Sequence, residues 1–358
     1  MGRTLTKGVH EVQEILKLEK KIVPELVDTL EKRYRILKTI FHNQPIGRRS
    51  LSEKLSVGER TVRNEVCFLR DEDLIEINPE GMTVTEDGEE IIQKLSNFIH
   101  EIKGLSEIEA SIEKLLNLRK VIVVPGNVEE NGLVLKDLGK ACSEYLKEII
   151  KDNDIVALTG GSTIKEVIEA FPKITTLSNI QVVPARGGMG KKVETQASTL
   201  AALLAKKLNG TYKMLHVSEN LSFDILNTLL KQKDVKEVTD KIKKADILLY
   251  GVGNALEMAR KRGISEDKIN DLIKNGAVGE AFGCYFDKDS HIISETTTIG
   301  IKINEARKIK THIAVAGGKN KIESIIATEF NDVNGVLVTD EGAAYGIINR
   351  LKLEHNLN

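Results

Sequence analysis

The chain has 358 residues, room for an α/β domain of about two hundred residues and a smaller companion. Its net charge of −1 means that a nucleic-acid partner must be met by locally concentrated positive charge, not by the whole surface. Cys67, Cys142 and Cys284 are scattered and in no metal-ligand spacing, which excludes a disulfide framework and a cysteine metal site. Without an apolar run of leader or membrane-span length, a cytoplasmic protein with no bound metal or cofactor is expected.

Residues 1–30 read as an amphipathic helical extension carrying Leu16, Val23, Leu26 and Leu30. Residues 31–84 then carry a helix-turn-helix spacing: a helical period over 34–41, a short helix over 51–55, a turn at Ser56-Val57-Gly58, and a third helix over 59–70. On that third helix Val62, Val66 and Leu69 repeat as a buried stripe, while Arg60, Thr61, Arg63 and Asn64 offer guanidiniums for guanine and an amide for adenine. Arg48 and Arg49 add phosphate contacts ahead of the second helix. Between residues 31 and 70 ten cations face four carboxylates, a local excess that suits DNA. The apolar segments 74–77 and 82–84, joined by Asn78-Pro79-Glu80-Gly81, predict a hairpin, the wing of a winged helix. Residues 85–118 keep apolar positions at helical spacing and predict a connector helix, interrupted near Gly104.

From residue 119 to 358 short apolar runs alternate with helical periods. Strands are expected at 121–124, 155–158, 181–184, 213–217, 247–251, 312–316 and 335–338. That alternation predicts a doubly wound parallel sheet with helices on both faces, whose ligands bind beyond the carboxyl ends of the strands. The run Thr159-Gly160-Gly161-Ser162-Thr163, between the strand 155–158 and a helix, has the build of a phosphate cradle: glycines admit the anion, amides and hydroxyls bind it. Further glycine turns at Gly187-Gly188, Gly251-Val252-Gly253 and Gly317-Gly318 also follow strands, so the four are expected to outline one pocket. Arg186, at the end of another strand, suits a second phosphate.

These turns, together with Arg260-Lys261-Arg262, Gly279-Glu280-Ala281-Phe282-Gly283 and Lys319-Asn320-Lys321, resemble in order and kind the sugar-binding domain of the SorC family of bacterial transcriptional regulators. The resemblance covers nearly the whole chain. It implies a winged-helix domain joined to a phosphosugar isomerase-like α/β domain, in a homo-oligomeric repressor of glycolytic genes. Its partners would be operator DNA and a phosphorylated sugar, fructose 1,6-bisphosphate above all. By the same resemblance Gly160, Gly161, Ser162 and Thr163 are the phosphate turn, Arg186 the strand-end arginine, Lys261 or Arg262 the second cation, Glu280 an acceptor of sugar hydroxyls, and Lys321 a late lysine. The competing expectation is a phosphosugar isomerase- or deaminase-like enzyme. Against it, Asp246 and His312 begin predicted strands, at the edge away from the pocket, and no acid-base pair stands at a usable spacing.

Overall fold

The computed structural model describes residues 22–188, 192–217, 222–328 and 333–355. Residues 1–21, most of the expected N-terminal extension, lie outside them. The chain divides into two compact units, one ending at Ser106 and the other beginning at Glu107.

In the first unit the helix Pro24–Asn43 begins well before residue 31. Val27 is already buried on it, so the end of the expected extension belongs to this unit's first helix. The helices Arg48–Leu55 and Glu59–Asp71 follow, separated by a turn in which Ser56 takes the left-handed conformation at φ 52°. Strands β1 (Ile75–Asn78) and β2 (Gly81–Val84) form the hairpin, and Ile46 pairs with Met82 beside it. The helix Glu86–Ile102 is capped by the Thr85 hydroxyl, which accepts from the Gly88 amide. Its Ile92 and Ile99 enter the same core as Leu37, Ile40, Leu51, Val62, Val66 and Leu69. Half of the expected connector is therefore a component of the DNA-binding unit. A break at Gly104, φ 63°, leads to the helix Leu105–Leu116.

The second unit holds β3 (Lys120–Val124), β4 (Ile155–Leu158), β5 (Gln181–Pro184), β6 (Thr211–Tyr212), β7 (Ile247–Gly251), β8 (Gly253–Asn254), β9 (Gly279–Ala281), β10 (Cys284–Phe286), β11 (Ile292–Glu295), β12 (Thr311–Val315) and β13 (Gly335–Asp340). Seven of them make one parallel sheet in the order β3-β13-β12-β7-β4-β5-β6. Its interior is apolar from both faces, as in Leu158, Leu249, Val315 and Val338, which is the burial a doubly wound sheet demands. From β4 the chain winds outward through β5 to β6. From β7 it winds the other way through β12 to β13. The boundary between β4 and β7 is thus the topological switch point, where such sheets leave a crevice.

Two strand expectations need correction. The strand expected at 213–217 is instead the two-residue edge strand β6. Among the described residues its only neighbour is β5, and the chain leaves the sheet after the Lys213 amide meets the Val182 carbonyl at 3.1 Å. A second, antiparallel sheet in the order β11-β10-β9-β8 stands where no strands were expected. Its strands are two to four residues long, too short for a readable period of two. It is inserted between β7 and β12 and carries Glu280 to the switch point.

Candidate effector site and DNA-binding face

The turn after β4 is built as a backbone cradle. Gly161, at φ 122° and ψ 161°, is the N-cap of the helix Ser162–Ala170. A side chain at Gly160 would come within 2.5 Å of the Thr195 carbonyl, which also accepts from the Gly161 amide at 2.9 Å. The Gly161 amide is thus spent inside the protein. The donors left for an anion are the first-turn amides of the helix, from Ser162 on, with the exposed Ser162 hydroxyl and the mostly buried Thr163 hydroxyl. Thr159 joins this turn to the neighbouring strand: its amide donates to the Leu249 carbonyl at 2.9 Å, and its hydroxyl accepts from the Gly251 amide at 3.4 Å.

Of the other glycine turns, Gly187-Gly188 does not form an open cradle. The Gly187 amide donates to Ile299 at 2.9 Å and the Gly188 amide to Val217 at 2.8 Å, because Arg186 is bridged to Gly300 and the chain runs on as a paired segment. Gly318, at φ 104°, instead opens the short helical turn Lys319–Lys321. Asn320 ties that turn to its surroundings, its amide donating to Glu129 at 2.9 Å and its side chain to Glu257 at 3.3 Å.

Glu280 is the centre of a buried cluster. Its Oε1 accepts from the Gly283 amide at 2.6 Å, from Nη2 of Arg262 at 2.7 Å and from Nη1 of Arg186 at 3.4 Å. The side chains of Arg262 and Glu280 are 1% and 5% exposed. Two guanidiniums on one carboxylate leave the cluster with net positive charge, an environment suited to an anionic ligand. Arg262, one of the two expected second cations, has both terminal nitrogens engaged: Nη2 donates to Glu280 and Nη1 to the Tyr285 hydroxyl at 3.0 Å. Glu280 lies on a strand, so its carboxylate is not a helix cap.

Lys261 ends the helix Ala255–Lys261 and is exposed, whereas Lys321 is half-buried. Burial, and then repulsion from Lys261, hold Lys321 below the usual lysine range, with Glu257, Asp340 and Glu129 opposing. Three groups thus stand at the carboxyl edge of the sheet: the cradle, the Arg186–Glu280–Arg262 cluster, and the Lys261 and Lys321 pair. Asp246 receives the Ile155 amide at 3.0 Å at the opposite edge, and His312 is fully buried inside β12, so neither faces these groups.

In the first unit, Arg60, Thr61, Arg63 and Asn64 are all exposed on the helix Glu59–Asp71, opposite its buried stripe. Glu65, on the inner side, accepts from Lys32 at 2.7 Å and Arg33 at 2.9 Å, and Arg33 lies 3.4 Å over the Phe68 ring. Arg49 pairs with Glu53 at 3.2 Å and Arg70 with Asp71 at 2.7 Å. Among the described residues, Arg35, Arg48, Lys54, Arg60 and Arg63 remain without an acidic partner. No described helix is long and apolar enough to cross a membrane.

Comparison with known proteins agrees with both units. The sugar-binding domain family matches residues 100–349, and the CggR N-terminal DNA binding domain family matches residues 29–99. The chain belongs to the SorC family of sugar-binding, DNA-binding transcriptional regulators, which are not enzymes. Among its relatives is the central glycolytic genes regulator of Bacillus subtilis, 38% identical over 333 residues, 93% of this chain and 98% of that one. The protein of the same description from Priestia megaterium is 36% identical over 339 residues, 94% of this chain and 99% of that one. A SorC family regulator from Enterococcus faecalis superposes with a TM-score of 0.63 at 33% identity, covering 68% of this chain and 99% of that one. The full-length sorbitol operon regulator from Klebsiella pneumoniae, at 16% identity, shares the fold over 88% of this chain and 97% of its own, with a TM-score of 0.61.

Proposed function

We propose that this protein represses glycolytic genes and that a phosphorylated sugar, fructose 1,6-bisphosphate, relieves or alters its hold on operator DNA. The carrying observation is that a backbone anion cradle, the buried Arg186–Glu280–Arg262 cluster and the lysines Lys261 and Lys321 all follow strands of the parallel sheet at its carboxyl edge. Two separated cationic environments suit two phosphates, and the carboxylate of Glu280 suits a polyol. The name and near full-length match of the Bacillus subtilis relative support glycolytic genes as the target. Residues 31–84 read operator DNA, and residues 119–358 hold the effector. The site residues are Gly160, Gly161, Ser162, Thr163, Arg186, Lys261, Glu280 and Lys321, with Arg262 paired to Glu280. The protein acts in the cytoplasm as a homo-oligomer, dimer or tetramer, presenting paired DNA-binding units.

Thermal unfolding with a panel of sugar phosphates tests this reading. A ligand held only by the native state raises stability by about 2.7 kcal/mol at a hundred times its dissociation constant. A selective rise with fructose 1,6-bisphosphate, lost in Thr163→Val and Arg186→Ala while operator binding is kept, is expected. A rise with glucose 6-phosphate alone would replace the bisphosphate assignment. No rise with any sugar phosphate would refute the effector reading.

A further inference from the structure

The helix Glu59–Asp71 buries Val62, Val66 and Leu69, and the fourth buried member of its inner side is a carboxylate, Glu65, 9% exposed. A carboxylate on a core-facing stripe needs partners. It finds them on two consecutive residues of the helix Pro24–Asn43: Oε1 takes Nζ of Lys32 at 2.7 Å and Oε2 takes Nε of Arg33 at 2.9 Å. Successive helical residues point in different directions around the axis, so the two cations grip the carboxylate from two sides. Phe68 follows Glu65 by one turn, and the Arg33 guanidinium lies 3.4 Å from its ring centroid. Arg33 therefore meets this helix twice, by charge and by stacking. Phe68 also continues the row Arg60, Asn64, Phe68, spaced four residues apart along the exposed face. The lock thus ends beside the side chains expected to read bases. Apolar burial is non-directional, whereas a two-point ion pair with a stacked ring fixes a helix in rotation.

We propose that Glu65 is a specificity-determining positioning residue for operator recognition: through Lys32, Arg33 and Phe68 it fixes the rotation of the helix Glu59–Asp71, and it keeps both cations from phosphate. The inference rests on reading Arg60, Thr61, Arg63 and Asn64 as the face that meets bases. Base contacts need their donors closely placed, so a small rotation of this helix costs base discrimination. Phosphate contacts carry no sequence information and survive it. Two cations released beside that face add to the sequence-independent part of binding. A carboxylate that never touches DNA thereby raises discrimination in two ways.

Fluorescence anisotropy on the full-length protein tests this, with a duplex selected by the wild type from a randomised pool and a scrambled duplex of the same composition. Glu65→Gln is expected to lower the ratio of the two affinities about tenfold, the worth of one misplaced bidentate base contact. It should also steepen the log-log salt dependence on the scrambled duplex by about one to two, as Lys32 and Arg33 reach phosphate. Arg33→Gln opens the same lock from the other helix: a similar loss of ratio is expected, with a salt slope no steeper than the wild type's. Circular dichroism sets the working temperature below every variant's melt. An unchanged ratio in both variants would overturn the assignment. So would affinities for the two duplexes that fall together, which is all that a loss of folded protein produces. Arg63→Ala separates the two readings. If it leaves the ratio unchanged, the base-reading face is refuted and the positioning role with it; if it lowers the ratio and Glu65→Gln does not, the positioning role alone fails.

Discussion

Lys321 combines burial with a nearby lysine, and both disfavour its charged form, burial more strongly. An anion placed there favours the charged form, so effector binding takes up a proton wherever Lys321 is partly neutral. Affinity is expected to fall as pH rises through its lowered pKa, and Lys321→Arg, which keeps its charge, should flatten the profile. Calorimetric titrations from neutral pH upward check both. Glu65 obeys the opposite sign. Burial alone would raise it, but hydrogen bonds from Lys32 and Arg33 outweigh that and hold it below the ordinary carboxylate value. Its contribution to stability is complete above the unfolded pKa and is lost as pH falls through the lowered folded one. Melting of the DNA-binding unit against pH should show an acid limb that Glu65→Gln weakens. Gly283 stands at φ 82°, and a Cβ there would clash with the Thr296 hydroxyl and meet Nη2 of Arg186 at 2.6 Å. Gly283→Ala is expected to cost about 1–3 kcal/mol in denaturant unfolding.

The helix Glu59–Asp71 is the element whose exposed face follows most directly from its sequence. A 3.6-residue period turns Val62, Val66 and Leu69 inward and therefore Arg60, Thr61, Arg63 and Asn64 outward, with no tertiary information needed. Replacing Arg63 by Ala should cost about 1–3 kcal/mol of operator affinity and relax base preference at one position, measurable by fluorescence anisotropy on single-base variants. The wing depends on Gly81 in a way the hairpin pattern only hints at. At φ 142°, a Cβ there would sit 2.7 Å from the Ile46 amide nitrogen, so Gly81→Ala should destabilise this unit while leaving the parallel-sheet unit's melt in place. The strand, glycine turn and helix around Gly160-Gly161 were equally legible, since strand, Gly-Gly, hydroxyls and helix are contiguous. The small antiparallel sheet was not, because two- to four-residue strands carry no periodicity. Its existence decides where Glu280, Arg262 and Tyr285 stand.

For the whole molecule the charge census shifts once ion pairs are counted. Of the ten cations in residues 31–70, Lys32, Arg33, Arg49 and Arg70 are spent on carboxylates and Lys38 lies 5.3 Å from the Tyr34 ring centroid, which leaves Arg35, Arg48, Lys54, Arg60 and Arg63 to meet phosphate. Each phosphate neutralised contributes a slope of about −0.9 in log affinity against log salt, so the slope should count these residues per bound unit, and Arg48→Ala should reduce it by about one. The amino-acid sequence alone determined the order of domains, the helix-turn-helix, the alternating strands and the glycine turn that follows β4. All of these rest on contacts within a few residues or on a period the chain repeats. Tertiary structure decided the rest. The switch point, the closure of Gly187-Gly188 by Ile299 and Val217, and the pairing of Arg262 with Glu280 depend on strand order and on contacts between residues far apart in the chain, which no local pattern encodes.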